Sequence, residues 1–189
     1  MRAIAIAQLL AMSMRSLSRP TLMVVSRSDP ASVNMLNALL DVPNAFQKIQ
    51  TVEGEAYKGS FLDPLYLWVR DHDEPMLALN DVNVAFDELI ESSPKDYVGD
   101  VLFLSRHSAA SGRKSLTIHP IGIPWSTDTS RSGGFPGRCS PPNPRIAPLY
   151  RDILQAVKDS EDANDYEVTL EVTHHGPFCS VPACFVEIG

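Results

Sequence analysis

The 189-residue sequence contains no apolar run near the roughly 20 residues of a membrane-crossing helix, because Arg2, Arg15, Arg19 and Arg27 interrupt the only candidate stretch. No membrane partner is expected. Cysteine is scarce: Cys139, Cys179 and Cys184 are too few, and odd in number, to staple a secreted domain of this size. That points to a reducing, cytoplasmic setting. Also missing are a Gly-rich dinucleotide loop, a P-loop, a Gly-x-Ser-x-Gly elbow, a His-Glu-x-x-His pair and a Cys-x-x-Cys pair, which removes support for redox, kinase and common hydrolase chemistry. No internal repeat is visible. Acid is absent from residues 1–28, which carry four arginines, although the whole chain has a net charge of −7. The leader, residues 1–20, therefore reads as an organelle-targeting peptide, a weak secretory signal or a disordered tail.

The rest of the chain has ordinary globular composition, 44% hydrophobic and 21% charged, and residues 21–189 are long enough for one α/β domain. Residues 21–27 (TLMVVSR) form a β-branched run ending at Asp29-Pro30, where Asp29 suits a helix N-cap and Pro30 its first turn. The following helix buries Val33, Leu36, Leu39 and Leu40. Residues 65–69 and 76–79 read as a strand pair, with Asp81 capping a helix to about Glu91. Residues 97–105 are the most hydrophobic strand candidate, and 166–173 alternate strictly; both are expected inside the sheet. Residues 146–158 resume helical spacing, and 183–188 form the last strand.

Between Pro120 and Pro148 lie seven of the 15 prolines and the pair Gly133-Gly134, so a long loop is expected, either substrate-binding or a tolerated insertion. It overlaps a basic segment, residues 106–151, in which seven cations face one acid, Asp128. Such a cluster holds phosphates if the fold gathers it on one face, and is otherwise a solvated loop.

The chemistry-bearing pattern is histidine. His107, His119 and the pair His174-His175 all fall at strand ends, where α/β proteins build sites. Neutral imidazole is the commonest metal ligand and the side chain best suited to proton transfer near neutral pH. With Glu171 and Glu187 on adjacent strand segments, a His/carboxylate zinc site that activates water is chemically reasonable. The plainer alternatives are hydrogen-bonded structural histidines, a solvated Glu171 and a salt-bridged Glu187. Cys179 and Cys184 read as free thiols, and Ser105, Ser108 and Ser111 beside His107 as a weaker nucleophile candidate.

Several stretches together carry a family resemblance: Ser28-Asp29-Pro30-Ala31-Ser32, Leu104-Ser105-Arg106-His107-Ser108, Leu116-Thr117-Ile118-His119-Pro120-Ile121-Gly122, Gly133-Gly134, and Glu171-Val172-Thr173-His174-His175-Gly176-Pro177 followed by Phe185-Val186-Glu187-Ile188-Gly189. Over residues 21–189 the chain resembles the archaeal and plant type of D-aminoacyl-tRNA deacylase. The resemblance implies a three-layer α/β/α fold with a mixed sheet, phosphorylase/hydrolase-like, and zinc as cofactor. It also implies chiral proofreading by hydrolysis of the ester between a D-amino acid and tRNA. On this chain it places His107, Glu171, His174 and His175 in the reaction, His174, His175 and Glu187 on zinc, and Arg106, Arg113, Lys114 and His119 on the D-aminoacyl-tRNA. The expected chemistry is a zinc-activated water attacking the carbonyl while Glu171 or a histidine moves the proton. Members of that family continue past Gly189 with a Gly-Gly-Gly-His-Tyr stretch, so the chain is expected to lack a C-terminal part. The competing readings are a catalytically incomplete tRNA-binding fragment and another metal-dependent hydrolase, such as a peptidase, on the same fold.

A shared site requires the four histidines to converge on one cleft. Alternation would let only one of His174 and His175 face it, unless the strand ends before them.

Overall fold

The computed structural model describes residues 19–51, 54–60, 64–71, 75–92, 94–125, 133–160, 163 and 165–189. Most of the leader and the segment around Asp128 and Arg131 lie outside these. The first strand, β1 (Thr21–Ser26), is buried along its whole length. It hands over to α1 (Pro30–Leu40) at Asp29, whose Oδ1 accepts the backbone N–H groups of Ala31 (2.9 Å) and Ser32 (3.2 Å). The other carboxylate oxygen accepts the backbone N–H of Arg106 at 2.7 Å. One side chain thus caps a helix and fixes the end of a strand distant in sequence.

Strands β2 (Phe46–Ile49), β3 (Glu55–Gly59) and β4 (Leu65–Arg70) follow, then a 3-10 turn (Met76–Ala78) and α2 (Val82–Leu89). Next come β5 (Asp100–Arg106), β6 (Ser115–Pro120), the short β7 (Gly122–Ile123) and β8 (Arg138–Cys139), α3 (Ile146–Lys158), β9 (Glu167–Leu170) and β10 (Ala183–Ile188). Eight strands form a mixed sheet in the order β2-β3-β4-β1-β5-β10-β6-β9, and β7 pairs with β8 separately. β4, β1, β5 and β10 are mutually parallel, while β6 runs against β10 and carries β9 parallel to itself. Met35, Leu36, Leu39, Leu149 and Ile153 of α1 and α3 pack on one face. Val82 and Phe86 of α2, with Met76 and Leu79, pack on the other. The result is the three-layer α/β/α arrangement with a mixed sheet that the family resemblance implies.

Three expectations need correction. Residues 76–79 are not a strand: four apolar residues are too short for periodicity to separate strand from helix, and they form a turn that covers the sheet. The antiparallel partner of β4 is instead β3, in a polar edge hairpin whose Lys48, Glu55 and Lys58 hid it. β5 is interior as expected but starts at Asp100, leaving Tyr97 at 41% exposure. β9 is an edge strand, not an interior one. Its strict alternation is the signature of a strand buried on one side, whereas a central parallel strand is apolar throughout; on its apolar face Tyr166 and Val168 pack on the core, while Leu170 and Val172 farther along are 55% and 80% exposed. Among the described residues no helix is long and apolar enough to cross a membrane.

All three cysteines are free, with Cys139 exposed and Cys179 and Cys184 buried. Burial pushes the Cys179 thiol up to about 12 and the Cys184 thiol higher still. Since the thiolate is the reactive form, a thiol reagent at about pH 8 is expected to label one cysteine in the native protein and all three after denaturation. Fast native labelling of two or more would contradict this packing.

Candidate active site

The site is built on the face of β6 and β10 next to the C-terminal end of β5. The β10–β6 register sets Phe185 opposite His119 and Glu187 opposite Thr117. Residues two apart on a strand share a face, so Phe185 and Glu187 project together with His119. β9 ends at Leu170, before the histidine pair, and the chain from Glu171 turns across this face. His174 and His175 therefore both reach His119, with ring centroids 4.4 and 4.7 Å from it and 4.5 Å from each other. Phe185 is the floor: His119 stacks on it at 5.2 Å and His175 meets it edge-on at 4.9 Å.

Each of the three rings has its Nδ1 against a backbone carbonyl: His119 with Pro120 (2.9 Å), His174 with Val172 (2.7 Å) and His175 with Gly176 (2.6 Å). A carbonyl only accepts, so each Nδ1 carries the hydrogen and each Nε2 offers a lone pair. One ring nitrogen from each histidine lies within 4.8 Å of the others. The Nε2 of His119 is fully buried and has no hydrogen-bond partner. Burial lowers the pKa of His175 and favours the neutral, ligating form. A divalent cation with affinity for nitrogen fits this donor set, and zinc is the usual occupant of three imidazoles.

Glu187 is 6% exposed; Ser105 Oγ donates to its Oε1 at 3.3 Å, and its Oε2 lies 3.7 Å from His119 Nε2. It stands beside the three nitrogens as a buried negative charge. Glu171 bridges two histidines, with Oε1 3.1 Å from His107 Nε2 and Oε2 3.8 Å from His174 Nε2. The other nitrogen of His107, Nδ1, is 2.7 Å from the hydroxyl of Ser115. A carboxylate accepts at one end of the ring, while a hydroxyl at the other end donates or accepts. His107 is therefore hydrogen-bonded both neutral and charged, as a proton carrier needs to be.

All four histidines are thus brought together, but His119 is fully buried beneath the others and does not line the cavity, whereas the family resemblance placed it on the substrate. His107, His174, His175, Glu171 and Glu187 line a cavity of about 650 Å³, with Arg106, Asp29 and Leu77 on its walls. Arg113 and Lys114 do not line it; they pair with Glu167 (3.7 Å) and Asp165 (3.4 Å) at the start of β9, on exposed side chains. Arg145, counted in the basic segment, is 3% exposed and paired with Asp100, so it is unavailable to phosphate. Ser105 bonds to Glu187 and to the Arg106 carbonyl, not to His107, so it is not activated by that histidine. Ser115 escaped the sequence reading because nothing local marks a serine at a strand start as the neighbour of a histidine eight residues earlier. The described parts of the expected long loop, on either side of residues 126–132, form a packed flap: β7 and β8 pair, the Gly122 N–H donates to the His175 carbonyl at 2.7 Å, and Gly134 lies so close to Gly176 that a side chain on Gly176 would strike its backbone.

A family model described as D-aminoacyl-tRNA deacylase matches residues 95–189. The D-aminoacyl-tRNA deacylase of Arabidopsis thaliana is 34% identical over 172 residues, covering 89% of this chain and 51% of that protein. The one from Thermoplasma acidophilum is 34% identical over 169 residues, covering 89% and 56%. The crystal structure of a conserved protein of unknown function superposes with a TM-score of 0.68 at 28% identity, over 92% of this chain and 56% of that one. The chain spans about half the length of the curated relatives it matches.

Proposed function

Because the chain belongs to the D-aminoacyl-tRNA deacylase family, we propose that it hydrolyses the ester between a D-amino acid and the 3′ end of tRNA, with zinc held by His119, His174 and His175. The observation that carries this reading is the set of three Nε2 lone pairs, each oriented by a carbonyl on Nδ1, beside a cavity that also holds the His107–Glu171 pair. Zinc bound there supplies Lewis-acid polarisation of water or of the ester carbonyl.

The chain's own groups move the protons. Glu171, which faces the histidine cluster, takes one from the attacking water. His107 in its charged form releases the Nε2 proton to the departing ribose hydroxyl, and Ser115 holds its Nδ1–H. The proton on Glu171 then crosses the 3.1 Å hydrogen bond and restores His107. Glu187 offsets the cation's charge from its buried position beside His119. Discrimination between D and L substrates belongs to the cavity walls around the α-carbon, since phosphates are alike in every tRNA.

The test is to incubate the chain, with zinc, with D- and L-aminoacyl-tRNA and follow release of the amino acid. Release from the D substrate, abolished by chelation and restored by zinc, is expected; tRNA bound with its ester intact, or hydrolysis of peptides instead, would overturn the reading. His119→Ala should leave less than about a tenth of the zinc bound in equilibrium dialysis, because affinity depends on three converging ligands. Arg113→Ala/Lys114→Ala should lower the logarithmic salt slope of tRNA binding by about 0.7–0.9 for each phosphate that is no longer neutralised, with kcat unchanged. A slope equal to the parent's would place the phosphates elsewhere.

A further inference from the structure

Two of the exposed large hydrophobic side chains, Trp125 (39%) and Phe135 (41%), sit on the β7–β8 flap and have no part in the proton transfers or the zinc site. The two sides of the flap are tied beside them, where the Gly137 N–H donates to the Trp125 carbonyl at 2.8 Å. Phe135 belongs to a stack with Arg138 and Phe178. The Arg138 guanidinium is 4.0 Å from the Phe178 ring centroid and 5.4 Å from that of Phe135, and the two rings meet edge to face at 5.9 Å. Arg138 is exposed and has no carboxylate partner among the described residues.

We propose that Trp125, Phe135 and Arg138 form a stacking surface for the unpaired bases at the 3′ end of tRNA. This rests on the deacylase reading, and it adds where the nucleic acid lies. Phe178 follows His175 by three residues, a chain reach of at most about 11 Å, and the flap is fastened to that same segment through Gly122–His175 and Gly134–Gly176. A strand whose last ribose presents its ester to the histidines has this flap within reach of its preceding bases. A chain with net charge −7 repels a polyanion in bulk, so affinity has to come from local interactions. Aromatic faces with an interleaved guanidinium supply them, because every base has a π-face and the guanidinium both stacks and meets phosphate. Recognition of this kind is indifferent to base sequence and suits an end common to all tRNAs.

The experiment uses the full chain and a single-stranded oligonucleotide ending in CCA. Trp68, the second tryptophan, is buried, so quenching of tryptophan fluorescence on titration reports Trp125. Saturable quenching is expected, with affinity weakened at least about fivefold by Phe135→Ala and regained in Phe135→Tyr. On D-aminoacyl-tRNA, Trp125→Ala and Phe135→Ala should raise KM by the same factor with kcat within twofold, and leave hydrolysis of a D-amino acid methyl ester unchanged. No quenching, or equal affinity in the alanine variants, overturns the surface. Failure of the parent to release D-amino acids overturns the deacylase reading alone, since the oligonucleotide titration needs no hydrolysis.

Discussion

Arg145→Ala is expected to destabilise the protein by about 3–5 kcal/mol in urea unfolding, a large part of the roughly 5–15 kcal/mol that holds a domain together. Arg145 Nε donates to Asp100 Oδ2 at 2.8 Å and its Nη2 to Thr21 Oγ1 at 2.7 Å. Thr21 Oγ1 in turn donates to Asp100 Oδ1 at 2.6 Å, and Asn143 Nδ2 reaches both Asp100 Oδ2 and the Val101 carbonyl at 3.2 Å. Asp100 has no solvent exposure, so truncating its partner strands a charge in the interior without water to stabilise it. The network also ties the start of α3 and the end of the flap region to β1 and β5. Replacing both charges, as in Asp100→Leu/Arg145→Met, should cost much less than the sum of the single changes, because no charge is then left unpaired. Additive single and double effects would show that the pair is not coupled.

His107→Ala is expected to lower kcat on D-aminoacyl-tRNA by about 10²–10⁴-fold while zinc binding stays at the parent level. Zinc retention separates the proton carrier from the three ligating rings, since His107 Nε2 faces Glu171 rather than the His119 cluster. Glu171→Gln keeps the shape and removes the basic oxygen, so its effect should be of the same order. Combined with His107→Ala it should add little, as two groups handling one proton act as a unit. Ser115→Ala should cost less and act through the pH profile, because it alters how His107 is held in each protonation state. A fully active His107→Ala would assign the proton to another group.

Parts of this site were legible in the chain because they depend on neighbours in sequence. The Asp29-Pro30 helix start, the apolar β5 run and the amphipathic α3 are local patterns; the first and last are found where the residues place them, and β5 starts three residues later. The histidines stood out for the same reason: they cluster at changes of periodicity, and their motifs carried the family resemblance. The edge position of β9 is also encoded in its alternation, a signal that its apolar content masks. The β2–β3 hairpin was hidden because edge strands are polar.

By itself the sequence determined the α/β class, the Asp29 cap, the free thiols and the residue types available for catalysis. Only the tertiary structure decided which of them meet. His119 joins His174 and His175 because antiparallel β10–β6 pairing sets it over Phe185 and because β9 stops short of the pair. The 106–151 cations likewise divide by place, Arg106 on the cavity wall, Arg138 on the flap and Arg145 in the core. Register between strands distant in the chain makes these choices, and one residue of slip would turn every side chain to the opposite face. Local pattern carries the face a residue prefers; the partner it finds there is a property of the assembled sheet.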